Sequence, residues 1–258
     1  MIPTQEHQIS TGAKPLHAPT AAPEAAAQSV QSMFDAIAPR YDLLNHVLSA
    51  GIDRTWWWRT ARTLRPILAR PEAQIVDLCC GTGDMTLALL QHRPSTPSTV
   101  PILAVDFSHE MLSLGKLKFH NTNVLPVEAD ALHLPLPNSS ADLISAAFGF
   151  RNLASYEDGL AELFRILRPG GQIAILECNQ PDGLAGALFN LYFKNILPRI
   201  GALLSNAEAY SYLPHSVARF PRSPRMLELI HNAGFVDATW TSYTFGIAGL
   251  YRATKPKP

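Results

Sequence analysis

The feature that most constrains the fold is a glycine turn between two apolar segments. The run Asp77-Leu78-Cys79-Cys80-Gly81-Thr82-Gly83-Asp84 follows the apolar pair Ile75-Val76 and precedes the apolar stretch that begins at Met85. A strand, a glycine turn and a helix in this order are typical of a nucleotide-type cofactor site. Glycine lets the backbone approach a ligand closely, and the helix N-terminus carries partial positive charge. We therefore predict that Gly81 and Gly83 contact a cofactor.

A dinucleotide fingerprint is the first alternative, but it is incomplete here. That fingerprint requires a third glycine three positions after the second, and this position is Thr86. The run instead resembles the first motif of class I S-adenosylmethionine methyltransferases, in which an acidic residue precedes the glycine turn. An NAD-linked dehydrogenase therefore stays a disfavoured alternative.

Composition narrows the function further. The chain has 258 residues, with 21 Lys plus Arg against 21 Asp plus Glu, and this zero formal charge argues against a nucleic-acid partner. Its three cysteines form neither a disulfide framework nor a zinc-ligand spacing, so we expect a cytoplasmic location and no metal.

The pattern of apolar residues divides the chain into a tail and one domain of four parts. Strands alternate with helices in the central part, which indicates a parallel sheet with helices on both faces. The predicted boundaries are a disordered tail over 1–29, a helical cap over 30–70, a cofactor-binding core over 71–180, a helical substrate-side insertion over 181–235 and a closing β-hairpin over 236–258.

Chemically capable residues follow several predicted strands. In parallel sheets, ligands bind outside the carboxyl ends of the strands. We therefore expect one edge of the sheet to hold Gly81, Asp106, Asp130, Phe148 and Glu177. Asp106 is placed to accept the ribose hydroxyls of a nucleoside, although a carboxylate that caps a helix or loop is the alternative.

Four blocks of sequence resemble the menaquinone/ubiquinone biosynthesis C-methyltransferases, a family of class I S-adenosylmethionine-dependent enzymes. They are residues 33–45 (MFDAIAPRYDLLN), 77–84 (DLCCGTGD), 148–152 (FGFRN) with 165–171 (RILRPGG), and 210–217 (YSYLPHSV) with 220–221 (FP). The second block is shared with many methyltransferases, whereas the other three together are highly specific. The resemblance covers roughly residues 30–255.

This resemblance implies a Rossmann-like sheet with an antiparallel last strand, and a cofactor bound through specific residues. Thr82 in the glycine turn, Asp106 after the second strand and the pair Asp130-Ala131 after the third match the family's cofactor contacts. The role of Asp77 stays open between a buried structural acid that accepts backbone N–H groups and a carboxylate that orients the methionine amine.

The reaction implied by the family is methylation of a ring carbon of a polyprenylated quinol. Such a carbon becomes strongly nucleophilic only when a ring hydroxyl loses its proton, so the site needs a base or a cation that stabilises the phenolate. Arg151 is the candidate cation, with an ion pair that anchors the next helix as its alternative, and Asn152 is placed to orient the same oxygen.

Three aromatic residues in the matched blocks are assigned to the substrate side: Phe34, Tyr41 and Tyr210. Ordinary core packing is the alternative for Phe34 and Tyr41. The run Trp56-Trp57-Trp58 cannot place all three rings on one helix face, so at least one ring should be exposed.

The favoured reaction converts demethylmenaquinol to menaquinol and leaves S-adenosyl-L-homocysteine. The first alternative is C-methylation of the 2-methoxy-6-polyprenyl-benzoquinol of ubiquinone biosynthesis. The alternative of another class is a non-catalytic cofactor-binding component of a quinone-synthesis complex. The apolar stretch 184–204 is interrupted by polar residues and should not span a membrane. A peripheral contact of the protein with the inner face of the membrane stays open, as does a homodimer.

Overall fold

A computed structural model describes residues 23–94, 98–192 and 207–258. Seven strands form one sheet in the order β3-β2-β1-β4-β5-β7-β6. The first five strands pair in parallel, and β7 is antiparallel to both of its neighbours. This confirms the predicted fold. The strands are β1 Ile75–Leu78, β2 Ile102–Asp106, β3 Val124–Glu128, β4 Ala141–Ala147, β5 Leu167–Cys178, β6 Val236–Tyr243 and β7 Ala248–Thr254.

Helices precede the sheet, alternate with its strands and cover both of its faces. Serine side chains cap the N-termini of two of them, because Ser108 accepts a hydrogen bond from the Met111 amide and Ser155 accepts one from the Asp158 amide. The helices are α1 Pro23–Ile37, α2 Tyr41–Ser49, α3 Asp53–Thr63, α4 Arg65–Leu68, α5 Asp84–Gln91, α6 His109–Lys118, α7 Tyr156–Ile166, α8 Gly183–Leu191, α9 Ala207–Arg219 and α10 Ser223–Asn232.

The start of the chain differs from the sequence prediction. The predicted disordered tail ends at residue 29, but α1 already begins at Pro23, so residues 23–29 are helical. The run of alanines in this segment has high helix propensity, which the prediction underrated. Residues 1–22 lie outside the described residues.

Alternation along each strand divides the core between the two faces of the sheet. Val76 and Leu78 join a cluster with apolar residues of α7 and α10 on one face. Ile75 joins the other cluster, with residues of α3 and α5 such as Ala61 and Leu89. Trp56 and Trp57 are buried on this second face while Trp58 is 47% exposed, as the spacing of the three rings predicted.

Helix α1 lies against the loop that follows β2. Gln31 Nε2 donates to the Phe107 carbonyl over 2.7 Å, and the Ser108 hydroxyl donates to Asp35 over 2.5 Å. The N-terminal helices thus cover the carboxyl edge of the sheet, where the predicted functional residues lie. Within the described ranges, no helix has the length and apolarity needed to cross a membrane.

Candidate cofactor and substrate site

A cavity of about 380 Å³ opens at the carboxyl edge of the sheet. Its walls come from the turn after β1, from the loops after β2, β3 and β4, and from α1 and α2. The predicted residues among its lining are Phe34, Tyr41, Gly81, Asp106, Asp130, Ala131, Phe148 and Asn152. The expectation that strand-end residues meet at one edge therefore holds for most of the candidates.

Asp106 ties the glycine turn to the loop after β2. Its Oδ2 accepts a hydrogen bond from the Gly81 amide over 2.8 Å, and its Oδ1 accepts one from the Ser108 amide over 2.9 Å. The residue is only 6% exposed. Burial raises the pKa of this carboxyl to about 6, against the lowering effect of the backbone hydrogen bonds. Asp106 is thus a buried carboxylate at the cavity wall that keeps acceptor capacity beyond its backbone hydrogen bonds.

The two glycines of the turn serve different purposes. Gly81 lines the cavity, and a Cβ built on it would lie 3.6 Å from Cε1 of Tyr41, so the tyrosine ring covers the turn. Gly83 is not among the lining residues. A Cβ on Gly83 would lie 2.2 Å from Cζ of Phe119, and its φ is +91°. The structure therefore shows Gly83 packed against Phe119 at the end of α6, while its contact with the cofactor stays a prediction.

Thr82 is also outside the cavity lining. Its hydroxyl donates to Asp42 over 2.5 Å and accepts from Lys118 Nζ over 3.0 Å. Lys118 forms ion pairs with Asp42 and with Asp84, at 2.6 and 2.8 Å. Burial alone would lower the pKa of Lys118, but the two carboxylates outweigh it and raise that pKa. Here Thr82 joins α2 to the glycine turn and to α6.

Asp77 is fully buried inside β1. Its two carboxyl oxygens accept from the hydroxyls of Thr86 and Ser145, each over 2.6 Å. Burial raises the pKa of Asp77 to about 6, and the two hydroxyl bonds oppose that shift. Because Asp77 does not line the cavity, the geometry favours the structural interpretation, with side-chain hydroxyls as donors instead of backbone amides. Thr86, which occupies the position of the missing third glycine, thereby has a role of its own.

Asp130 and Ala131 follow β3 at the far side of the cavity. Asp130 Oδ1 accepts from the Leu132 amide over 2.9 Å, and 61% of the Asp130 side chain is exposed. Ala131 is buried and lines the wall beside it. One carboxylate open to solvent beside a small apolar surface suits a polar, flat ring.

Arg151 is held in a buried ion pair and does not line the cavity. Its backbone amide and its guanidinium donate to the two carboxyl oxygens of Glu177, each over 3.0 Å. The guanidinium also donates to the Phe148 carbonyl and to the Ser216 hydroxyl of α9. Burial alone would lower the pKa of the Arg151 guanidinium, but the negative charge of Glu177 outweighs burial and raises that pKa. This geometry favours the anchoring interpretation.

Asn152 lines the cavity and meets a residue that sequence reasoning missed. The Tyr212 hydroxyl donates to Asn152 Oδ1 over 2.9 Å. Tyr212 belongs to the same matched block as the predicted Tyr210, whose side chain lies outside the described part of the structure. The i, i+4 spacing of Tyr212 and Ser216 on α9 was the available signal, because it places both on one helix face.

Aromatic rings form one part of the cavity wall. The Phe34 ring has edge contacts with Tyr41, Phe107 and Tyr212, at centroid distances of 6.1, 6.5 and 6.3 Å. Burial raises the pKa of the Tyr212 hydroxyl, whereas the positive charge of Arg151 lowers it. The site thus combines a buried carboxylate on one side with aromatic surface and a Tyr–Asn pair on the other.

Glu177 is a second residue that the site assignment missed. It lies one residue before the end of β5 at the same edge and is fully buried, and it accepts bonds from both the backbone amide and the guanidinium of Arg151. A carboxylate within an otherwise apolar strand was the signal. Across the described ranges, no three His, Cys, Asp or Glu side chains are grouped as metal ligands would be.

Comparison with known proteins agrees with this architecture. A demethylmenaquinone methyltransferase of Deinococcus radiodurans is 45% identical over 88% of this chain and 93% of its own length. A ubiquinone/menaquinone biosynthesis C-methyltransferase of Geotalea daltonii is 40% identical over 88% of this chain and 97% of its own. The crystal structure of a SAM-dependent methyltransferase from Thermotoga maritima shares the fold, with a TM-score of 0.61 at 16% identity over 87% of this chain and 99% of that one.

The sequence model of one family covers nearly the whole domain, from residue 22 to residue 255. The resemblance inferred from the four sequence blocks is thereby confirmed, and the chain belongs to the ubiE/COQ5 methyltransferase family.

Proposed function

We propose that this protein transfers a methyl group from S-adenosylmethionine to a ring carbon of a polyprenylated quinol, converting demethylmenaquinol to menaquinol. The observation that carries the proposal is the cavity in which Asp106 and the glycine turn face an aromatic wall, in a chain of this family. The released product is S-adenosyl-L-homocysteine.

The cofactor side of the cavity fits an adenosyl group. The Asp106 carboxylate accepts from the Gly81 and Ser108 amides and keeps acceptor capacity for a ribose hydroxyl. Asp130 and Ala131 offer an acceptor and a flat apolar contact for the adenine ring. When bound, S-adenosylmethionine supplies an electrophilic methyl group on a positively charged sulfur.

The substrate side fits a flat aromatic ring with a hydroxyl group. Phe34 and Tyr41 provide the apolar wall, and the Tyr212–Asn152 pair offers hydrogen-bonding partners for a ring oxygen. In this proposal the pair orients the quinol hydroxyl, and Asn152 is its member that lines the cavity. The buried charge of Arg151 behind it favours the phenolate.

Arg151 acts in this scheme as a positioning residue. Besides pairing with Glu177, its backbone carbonyl accepts from Tyr156 over 3.1 Å and from Arg219 over 2.8 Å. These bonds connect the turn that carries Asn152 to α7 and to α9. Loss of the Arg151 side chain would also remove its bonds to Glu177, to the Phe148 carbonyl and to Ser216, and should therefore misplace Asn152 as well as remove a charge.

The test is a methyl-transfer assay with labelled S-adenosylmethionine and two reduced quinones. We expect label in the product of demethylmenaquinol and much less in that of the 2-methoxy-6-polyprenyl-benzoquinol. The opposite preference would support the ubiquinone precursor as substrate. Cofactor binding without label transfer to either quinol would contradict the proposal and support a non-catalytic component of a quinone-synthesis complex.

A further inference from the structure

Three large apolar side chains are exposed near one another at the carboxyl edge of the sheet. Phe245, between β6 and β7, is 86% exposed, Leu184 at the start of α8 is 79% exposed, and Ile52 before α3 is 39% exposed. We call these three residues the apolar rim. We propose that the apolar rim docks on an anionic lipid bilayer, an inference that rests on the proposed function because a polyprenylated substrate resides in such a bilayer.

Contacts between neighbouring residues bring the three parts of the rim together. Trp56 donates its backbone N–H to the Ile52 carbonyl over 3.2 Å and its indole N–H to Thr244 over 2.8 Å. A Cβ built on Gly246 would lie 3.6 Å from Cβ of Pro181, just before α8. The loop between β6 and β7 thus lies between the start of α3 and the start of α8.

The loop that carries Phe245 is anchored with its aromatic ring in solvent. Thr244 and Phe245 both have positive φ, at 46° and 57°, which bulky side chains rarely adopt. The guanidinium of Arg59 lies 4.3 Å from the ring centre of Tyr243 and, with the Trp56 bond, holds the base of the loop. A strained turn that exposes a phenylalanine is unfavourable in water alone and is explained by an apolar partner.

The charge beside the rim matches an anionic surface. Residues 43–71 contain five arginines and a single acidic residue, Asp53. Asp53 is 2% exposed and bonds to His46, whereas Arg54 and Arg59 are exposed on the part of α3 next to the rim. Asp182, two residues before Leu184, is exposed but pairs with Arg222 over 2.8 Å. This side of the molecule therefore presents net positive charge around apolar tips, as peripheral membrane surfaces do.

The rim also connects to the cavity. The Phe148 ring lines the cavity and lies 5.7 Å from the Trp56 ring, which in turn bonds to the rim loop at Thr244. The rim loop and the cavity wall are therefore joined through one cluster of packed aromatic rings, which places the rim next to the site.

Vesicle sedimentation tests the surface. The full chain should bind phosphatidylcholine vesicles that contain phosphatidylglycerol. The double variant Phe245→Asn/Leu184→Asn should bind at least about tenfold more weakly, because it loses the favourable free energy of moving two apolar side chains from water into the bilayer. Asparagine tolerates the left-handed backbone at residue 245, so the loop can keep its shape. Arg54→Gln should weaken binding to the anionic vesicles by about fivefold and leave phosphatidylcholine vesicles unaffected.

Leu117→Asn is the matched control, because Leu117 is 75% exposed near the C-terminal end of α6, away from the carboxyl edge. It should bind vesicles as the parent does. The inference is overturned if the double variant binds vesicles as the parent does, or if Leu117→Asn loses binding equally. It is also overturned if the parent binds no vesicle, or if the parent dimerises through the rim instead.

A second readout separates the docking surface from the proposed function. The double variant should methylate a water-soluble, short-tailed quinol at the parental rate and lose activity on long-tailed quinol in vesicles. If the parent methylates no quinol, the proposed function fails, and the vesicle measurements alone still decide the docking surface.

Discussion

The substitution Gly83→Ala tests whether this glycine serves packing or cofactor binding. Its φ of +91° is unfavourable for any side chain and costs roughly 1–2 kcal/mol. The new Cβ would also lie 2.2 Å from Phe119 Cζ, and relief of such overpacking costs about 1–3 kcal/mol. We therefore expect a loss of about 2–5 kcal/mol in the free energy of unfolding, a large part of a typical total of about 5–15 kcal/mol.

Gly81→Ala is the matched comparison, because it shares the positive φ and lacks the overlap. Its Cβ would be 3.6 Å from Tyr41 Cε1, an ordinary contact, so only the backbone cost of roughly 1–2 kcal/mol should appear. Combining each alanine with Phe119→Leu isolates the overlap. The double variant Gly83→Ala/Phe119→Leu should lose about 1–3 kcal/mol less free energy of unfolding than the sum of its two single variants. For Gly81→Ala/Phe119→Leu, the losses of the single variants should simply add.

Urea denaturation followed by circular dichroism measures these energies, and calorimetric titration with S-adenosylhomocysteine measures cofactor binding by the folded fraction. Additivity in the Gly83 pair would refute the packing argument. A folded Gly83→Ala protein that no longer binds S-adenosylhomocysteine would refute it too, and would return Gly83 to the cofactor site.

Three further variants test the buried charges. Asp106→Asn should weaken S-adenosylhomocysteine binding roughly 10- to 100-fold through loss of a charged acceptor, whereas Asp77→Asn, outside the cavity, should bind almost as the parent does in the same titration. Arg151→Met should lower the free energy of unfolding by about 3–5 kcal/mol, because Glu177 is left buried and unpaired. Adding Glu177→Gln should restore much of that free energy. Intact stability with lost turnover would instead make Arg151 catalytic. Because burial raises the folded-state pKa of Asp77 from 3.8 to about 6, the folded protein binds the extra proton, and the free energy of unfolding should fall as pH rises from about 4 to 6. Asp106 contributes a slope of the same sign, since burial raises its pKa to about 6 too. Asp77→Asn should therefore reduce the slope measured in urea titrations, and an unchanged slope would contradict the assignment.

Candidate residues that act through local geometry were predictable. Gly81 and Asp106 meet because each follows a neighbouring parallel strand, and the serines before α6 and α7 cap their helices within three residues. Thr82 and Gly83 stand in the same turn, but the contacts that the structure gives them were not predictable. Their partners, Asp42 and Phe119, come from helices that the turn motif does not contain.

The same distinction holds for the catalytic side. The block 148–152 predicted that Arg151 and Asn152 follow the fourth strand, which the structure bears out. Which of the two reaches the cavity depends on Glu177 and on α9. Glu177 draws the arginine into the sheet, and Tyr212 meets the asparagine at the cavity wall.

By itself, the sequence determined the order of strands and helices, the edge of the sheet where ligands bind and the family, because apolar periodicity, caps and short motifs depend on neighbours in the chain. Only the tertiary structure decided which polar groups face the cavity and which are paired behind it. Those pairings join residues that are far apart in sequence, such as Arg151 with Glu177 and Thr82 with Asp42. The reason is that buried charges and hydroxyls bond to whichever partners the packing of helices on the sheet brings within hydrogen-bonding distance.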